Sequence, residues 1–197
     1  MDARVGEVIR NYVARGAVIF SNSYGSLTDY FNPSEEKHSA LFFGSGLVDY
    51  LLARRIVYPL AGLTNEDCYI VEFNVSGMRA VPLEEFLGTK SSVRVYYYMR
   101  SVFPALDVME EAIAFAFSDA DKDYGFGSTK SYCFKTVSNC YAQVGVRVEP
   151  VNLLGREIVL SQSFTGDERW QKVMDSDTGE VVLLAGYGYY LKWRIYA

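Results

Sequence analysis

Asp123-Tyr-Gly-Phe-Gly-Ser-Thr-Lys-Ser-Tyr-Cys133-Phe-Lys-Thr-Val137 is the stretch on which the reading of this chain turns. A polar, glycine-bearing loop runs into a helix, and a cysteine stands where the helix begins. The apolar spacing predicts that helix from Tyr132 to Val144, ended by Gly145. Ser131 suits the N-cap, which places Cys133 in the first turn. There the unpaired backbone N–H groups and the helix dipole favour a thiolate. The same helix end can donate an N–H to a developing oxyanion. The competing reading is a packed interior. Cys133, Val137, Cys140 and Val144 form one apolar stripe, and cysteine on such a stripe is usually a small core residue. Cys140, two turns deeper, is read as core.

A thiol nucleophile needs a base, and imidazole is the usual one near neutral pH. His38 is the sole histidine, so the assignment is forced. The base then precedes the nucleophile in the chain, the reverse of the papain order. His38 opens the predicted strand His38-Ser-Ala-Leu-Phe-Phe43. Alone, a histidine on a strand is more often structural than catalytic. A catalytic imidazole also needs a partner that fixes its tautomer. Glu72, inside the apolar run Tyr69-Ile-Val-Glu-Phe73, is the first candidate, because a buried carboxylate without a partner is costly. An acid on the surface of an edge strand is the alternative reading of Glu72. Asp49 is the second candidate for the partner.

The chain has 197 residues, half of them hydrophobic and 15% aromatic, which fits one packed domain over residues 1–197 and excludes general disorder. A net charge of -5 with scattered Lys and Arg argues against a nucleic-acid binder. The apolar runs are too short to cross a bilayer, so no stable membrane insertion is expected. Three cysteines in no paired spacing, with no signal-like opening after Met1, suggest a reducing, cytosol-like setting. Helices are predicted over residues 4–13 and 104–117, the second with Leu106, Met109, Ile113 and Phe117 on its apolar face. Strands are predicted over 17–20, 38–43, 68–73, 93–99, 158–160 and 181–184. Val81-Pro-Leu-Glu-Glu-Phe-Leu87 suggests a proline-led helical turn. Residues 47–67 read as a helical or irregular excursion, and the aromatic tail 187–196 as sheet. The pattern is α+β, helices packed against a largely antiparallel sheet.

Metal and phosphate readings fail on the residues. An EF-hand loop counted from Asp119 has Tyr124 where glycine is needed and Lys130 where glutamate is needed. Gly125-Phe-Gly127 lacks the Lys-Ser/Thr ending of a phosphate loop. Three separate cysteines and one histidine do not make a zinc spacing. No metal and no cofactor are expected.

Taken in order, Glu36-Lys-His38, Val71-Glu72, Arg79-Ala-Val-Pro-Leu83, Tyr124-Gly-Phe-Gly127 and Tyr132-Cys-Phe-Lys135 resemble the permuted, papain-like branch of the NlpC superfamily. That branch holds the bacterial YiiX-like hydrolases and the lecithin–retinol acyltransferase-like proteins. The resemblance is nearer to its poxvirus members, through Asn32-Pro-Ser34, Cys140-Tyr141, Leu154-Gly-Arg-Glu-Ile158, Leu160-Ser-Gln162, Phe164-Thr165 and Arg169-Trp170. It spans residues from about 10 to about 176 and leaves 177–197 as a C-terminal extension. It implies a permuted papain-like, NlpC-type fold, with His38 as base, Glu72 as its orienter and Cys133 as nucleophile. Tyr124 would line the substrate or oxyanion pocket. It further implies a viral cysteine hydrolase or acyltransferase acting on an amide or ester of a peptide or lipid. The alternatives are a non-catalytic host-interaction protein on the same fold and a lipid acyltransferase. The implied setting is the host-cell cytoplasm or the virion. Substrate identity and oligomeric state are not legible in the sequence.

Overall fold

The computed structural model describes residues 1–24, 32–119, 122–125, 129–184 and 190–196. Asp121 of the loop weighed for calcium, Phe126 and Gly127, and the start of the aromatic tail lie outside them. The fold centres on β1 (Val18–Ser23), whose Val-Ile-Phe start is fully buried. A strand apolar at successive positions is covered on both faces. It pairs with β2 (His38–Gly44) on one side and β5 (Lys90–Arg100) on the other. The sheet continues from β2 to β3 (Tyr69–Asn74) and β4 (Gly77–Pro82). Here α3 (Leu83–Gly88) follows β4 directly. The segment predicted as a helical turn therefore divides, and Arg79 to Pro82 belong to a strand paired with Tyr69–Glu72. Beyond β5, the two-residue β6 (Phe103–Pro104) folds back on it.

Helix α4 (Leu106–Ala114) continues as a 3-10 turn over Phe115–Asp119, and α5 spans Cys133–Gln143. Met109 and Ile113 are buried as predicted, but Leu106 is half-exposed. It is the first residue of α4, where the helix has only begun to meet the sheet. Phe20 of β1 meets Phe134 of α5 at 6.0 Å. It also meets Phe164 of α6 (Gln162–Thr165) at 5.4 Å. Tyr141, Phe164 and Trp170 complete this aromatic layer, with ring contacts at 4.7 and 5.1 Å. Trp170 opens β9 (Trp170–Asp175), a strand not predicted from the sequence, which pairs with β5.

The segment beyond residue 176 extends the same sheet. Strand β10 (Glu180–Leu184) joins β9, and β11 (Tyr190–Arg194) joins β10. It returns to α1 (Ala3–Tyr12), where Trp193 lies edge-on to Tyr12 at 5.4 Å and Arg4 donates to the Ile195 carbonyl. The excursion after β2 opens with α2 (Leu47–Ala53). It then folds back on the sheet, where Tyr58 Oη accepts the Ala80 N–H of β4 and Tyr69 Oη the Thr64 N–H. A small hairpin, β7 (Val151–Leu153) with β8 (Arg156–Ile158), stands apart. The strand predicted through Leu160 leaves the ladder at Ile158, and the Val159 N–H is taken by Tyr132 Oη.

Gly16 joins three of these parts. Its N–H bonds the Phe42 carbonyl at 2.7 Å and its own carbonyl accepts from Tyr141 Oη at 2.8 Å. With φ at +84°, a Cβ would lie 1.9 Å from the Met109 carbonyl oxygen. Both strain and backbone overlap oppose a side chain here. Gly16→Ala is expected to lower unfolding stability by about 2–4 kcal/mol, well beyond the usual cost of a surface change. Urea denaturation followed by tryptophan fluorescence measures it, and a loss below about 0.5 kcal/mol would contradict the placement.

Candidate active site

The β2–β3 register sets the site. Ala40 stands opposite Glu72, so His38, two residues back on the same face, is diagonal to Glu72. Diagonal neighbours are within reach of long side chains. His38 Nε2 lies 2.7 Å from Glu72 Oε2. Across the two-residue turn of the β3–β4 hairpin, Glu72 also stands directly opposite Arg79. Arg79 Nε donates to Glu72 Oε1 at 2.7 Å, and its terminal nitrogen lies 2.6 Å from the same oxygen. Asn74 Nδ2 adds a longer bond of 3.3 Å. The carboxylate is 3% exposed and thus held from both oxygens. Burial works against its charge, but His38 and then Arg79 outweigh it and hold Glu72 down at about 2. Glu72 is therefore not an edge-strand surface acid. Asp49, the second candidate, is exposed on α2, its N–H bonded to Asn65.

Helix α5 supplies the thiol from the other side. Its N-terminus packs near β2 and presents Cys133 to His38, whose hydrogen bond and charge act on the sulfur. Since Nε2 is engaged by Glu72, Nδ1 is the nitrogen left for the thiol. Burial pushes the Cys133 thiol up. His38 first, then the backbone N–H and hydroxyl of Ser39, more than reverse this, and the thiol sits below its ordinary value of 9.0. The imidazole moves the opposite way. Burial disfavours its charge, but the Cys133 sulfur and then Glu72 raise it above 6.5. Each member of the contacting pair thus favours the charged form of the other. Cys68 is the contrast, since burial raises it to about 11 and the charge of Arg10 offsets only part of that. Cys140 is packed at 1% exposure, in keeping with its reading as core.

The cap of α5 differs from expectation. Tyr132 holds the N-cap position and Ser131 lies one residue earlier. Instead of closing the helix end, the Ser131 hydroxyl pairs with Thr136 Oγ1 at 2.8 Å. The first-turn N–H groups are thus not taken by a side-chain cap at Tyr132. Tyr124 is bridged to Ser131 and stacks on Phe73 at 6.1 Å with an interplanar angle of 15°. Burial, and then the nearby Cys133 charge, push its hydroxyl up to about 12, so it remains a donor at neutral pH. In the sequence, Arg79 stands only within a family motif, with no role at the site, and Ser39 is not singled out. Arg79 had a signal, because a two-residue turn between Asn74 and Gly77 puts it opposite Glu72. Ser39 had none, because its role depends on how α5 docks.

Residues 12–174 match the family described as the permuted papain-like amidase enzymes, YaeF/YiiX, C92 family. The chain belongs to this permuted papain-like amidase family. Among curated relatives, Protein OPG091 of Vaccinia virus (strain Copenhagen) is 36% identical over 169 residues, covering 86% of this chain and 89% of the relative. Protein OPG091 of Monkeypox virus is 35% identical and that of Variola virus (isolate Human/India/Ind3/1967) 34%, over the same shares. The crystal structure of the metalloprotein yiiX from Escherichia coli O157:H7 superposes with a TM-score of 0.59 at 15% identity, covering 83% of this chain and 97% of that one. At that identity the likeness is one of fold. The permuted papain-like amidase fold is therefore the frame in which His38, Glu72 and Cys133 meet. Among the described residues, no three His, Cys, Asp or Glu side chains are grouped to hold a metal ion.

Proposed function

We propose that the chain is a cysteine hydrolase of amide bonds that works through an acyl-enzyme. The observation that carries this is the hydrogen-bonded series Cys133–His38–Glu72–Arg79, in which a buried thiol is held below its ordinary pKa. The Cys133 thiolate attacks the carbonyl carbon, and the π electrons move onto oxygen. An N–H of the uncapped first turn of α5 supplies donation to that oxyanion, and Tyr124 lines the pocket beside it. Collapse breaks the C–N bond, and the proton on His38 Nδ1 passes to the leaving amine. Water then attacks the thioester, gives its proton to His38, and the acid leaves with the thiolate restored. Glu72 keeps the ring oriented and its charge matched throughout, and Arg79 keeps Glu72 ionised.

One observation favours a second reading, a non-catalytic binding protein on the same fold: Cys133 is only 3% exposed. The His38 ring beside it keeps 16% exposure. Iodoacetamide labelling of the native protein at pH 7, with the modified sites mapped by mass spectrometry, separates the two. Cys133 is expected to react at least about tenfold faster than Cys68 or Cys140, since His38 favours its thiolate, whereas burial raises Cys68 and Cys140 is packed in the core. Equal rates at all three thiols would favour the binding protein.

A further inference from the structure

The segments Asn32-Pro-Ser34, Glu36-Lys-His38 and Leu160-Ser-Gln162 meet where β2 begins. Ser34 Oγ accepts the Ser161 N–H at 2.9 Å and donates to Ser161 Oγ at 2.8 Å. The Ser161 hydroxyl in turn accepts the Glu36 N–H at 3.3 Å. Both serines are buried, where a hydrogen bond is costly to leave unmade. The next residue is held from β1. The Lys37 N–H is shared between the Ser21 carbonyl at 3.2 Å and Asn22 Oδ1 at 3.0 Å. Asn32 Nδ2 donates to the Lys37 carbonyl at 3.0 Å. That carbonyl and the His38 N–H belong to one planar peptide group, so its orientation is fixed.

Glu36 anchors this segment across the sheet. It is buried, and its Oε1 accepts from Arg94 Nη1 at 2.7 Å. Arg94 stands on β5, opposite Phe20 of β1, so the ion pair closes over the central strand. Arg94 is held in turn, with Nε 3.3 Å from Asp175 Oδ2 and Nη2 2.9 Å from Asp177 Oδ2. Lys172 balances Asp175 at 2.5 Å. His38 is the first residue of β2, and the pairing of β2 with β3 begins only at Ala40. The ladder to β3 therefore does not hold His38 itself, and strand ends are where local opening starts. Yet the ring must reach Glu72 at 2.7 Å with one nitrogen and serve Cys133 with the other. A misplacement of about 1 Å in such a pair can cost about a hundredfold in rate. The fastening of residues 34–37 supplies the precision that the ladder does not.

We propose that Glu36 is a positioning residue of the site: through Arg94, and together with the Ser34–Ser161 clasp, it fixes the entry of β2 so that the His38 ring meets Glu72 and Cys133 at once. This role presupposes His38 as the partner of a nucleophilic Cys133. It is tested by the pH profile of iodoacetamide labelling of Cys133 in the wild type, Glu36→Leu and Glu36→Gln, with urea unfolding of each to show that it is folded. In Glu36→Leu, Arg94 keeps Asp175 and Asp177, so no buried cation is left unmatched. Its labelling at pH 7 is expected to be about threefold slower than the wild type, with the midpoint about half a pH unit higher. Glu36→Gln keeps an acceptor for Arg94 and should recover most of the wild-type profile. The sign separates position from field. Removing a carboxylate by its charge alone would favour the thiolate and speed the labelling. An unmoved midpoint or faster labelling in Glu36→Leu, or Glu36→Gln impaired as much as Glu36→Leu, overturns the role and leaves the hydrolase standing. Should Glu36→Leu not fold, Ser161→Ala breaks the clasp without changing a charge. Its midpoint is then expected to rise in the same way, and an unmoved one overturns the role. Wild-type labelling of Cys133 no faster than that of Cys68 and Cys140 overturns the nucleophile, and the role of Glu36 falls with it.

Discussion

Replacing His38 by alanine is expected to slow iodoacetamide labelling of Cys133 at pH 7 by about tenfold or more, because the thiol loses the group that most favours its thiolate. The imidazolium is the first of the groups that hold the thiol down against its burial. Without it, only the Ser39 contacts and the helix end remain to oppose burial. Turnover of any amide substrate should fall about a thousandfold, within the usual range for loss of a general acid–base. The pH dependence carries the sign. In the wild type the thiolate–imidazolium pair exists above the lowered Cys133 pKa and below the raised His38 pKa. Hydrolysis should therefore hold its rate past pH 7 and decline as His38 loses its proton near about 9. Labelling of the His38→Ala protein should instead rise steeply through that region and approach the wild type above it. A variant that labels at the wild-type rate at pH 7 would show that His38 does not set the state of the thiol.

Replacing Glu72 by alanine is expected to cost about 3–5 kcal/mol of stability at pH 7, because it leaves a buried partner charge unmatched. Arg79 is 48% exposed and regains water when Glu72 is lost, so the cost comes mainly from His38. Glu72→Gln keeps the shape and one acceptor and should lose less. Both variants should lower turnover about a hundredfold or more, through loss of the ring's orientation and charge match. Glu72 has a folded pKa near 2 against an ordinary 4.5. Its contribution is present above pH 4.5 and lost as pH falls toward 2. His38, raised from 6.5 to about 9, contributes fully below 6.5 and loses that contribution as pH rises through 9. The two shifts describe one interaction and are not summed. Urea unfolding of wild type and Glu72→Gln between pH 3 and 7 measures it. The difference between them should shrink on acidification, and a constant difference would show that the carboxylate's charge contributes nothing.

Neither variant is predictable from single residues, since the pieces of the site are far apart in the chain. The sequence by itself determined a good deal here. Short apolar runs placed His38 and Glu72 on strands, and the periodicity after Ser131 placed Cys133 at the start of a helix. A lone histidine left one base to choose. A carboxylate inside an apolar run required a partner, which a local rule on burial can state. These are short-range signals, fixed by backbone geometry within a few residues.

The tertiary structure decided the remainder. Strand β9 was hidden because Trp170–Asp175 carries Gln171 and Lys172 on an exposed stretch, and only pairing with β5 makes it sheet. Ser131, a good cap by type, was drawn away by Thr136 within the folded core. The choice of Glu72 over Asp49 rested on register: opposing Ala40 to Glu72 brings the carboxylate diagonal to His38, and a slip of one residue would have turned it to the other face. The approach of α5 to β2, and with it the Ser39 contact and the charge state of Cys133, followed from packing of Phe134 on Phe20. Register and docking are contacts between residues tens of positions apart. Their energies depend on the whole core and leave no mark in a local window of sequence.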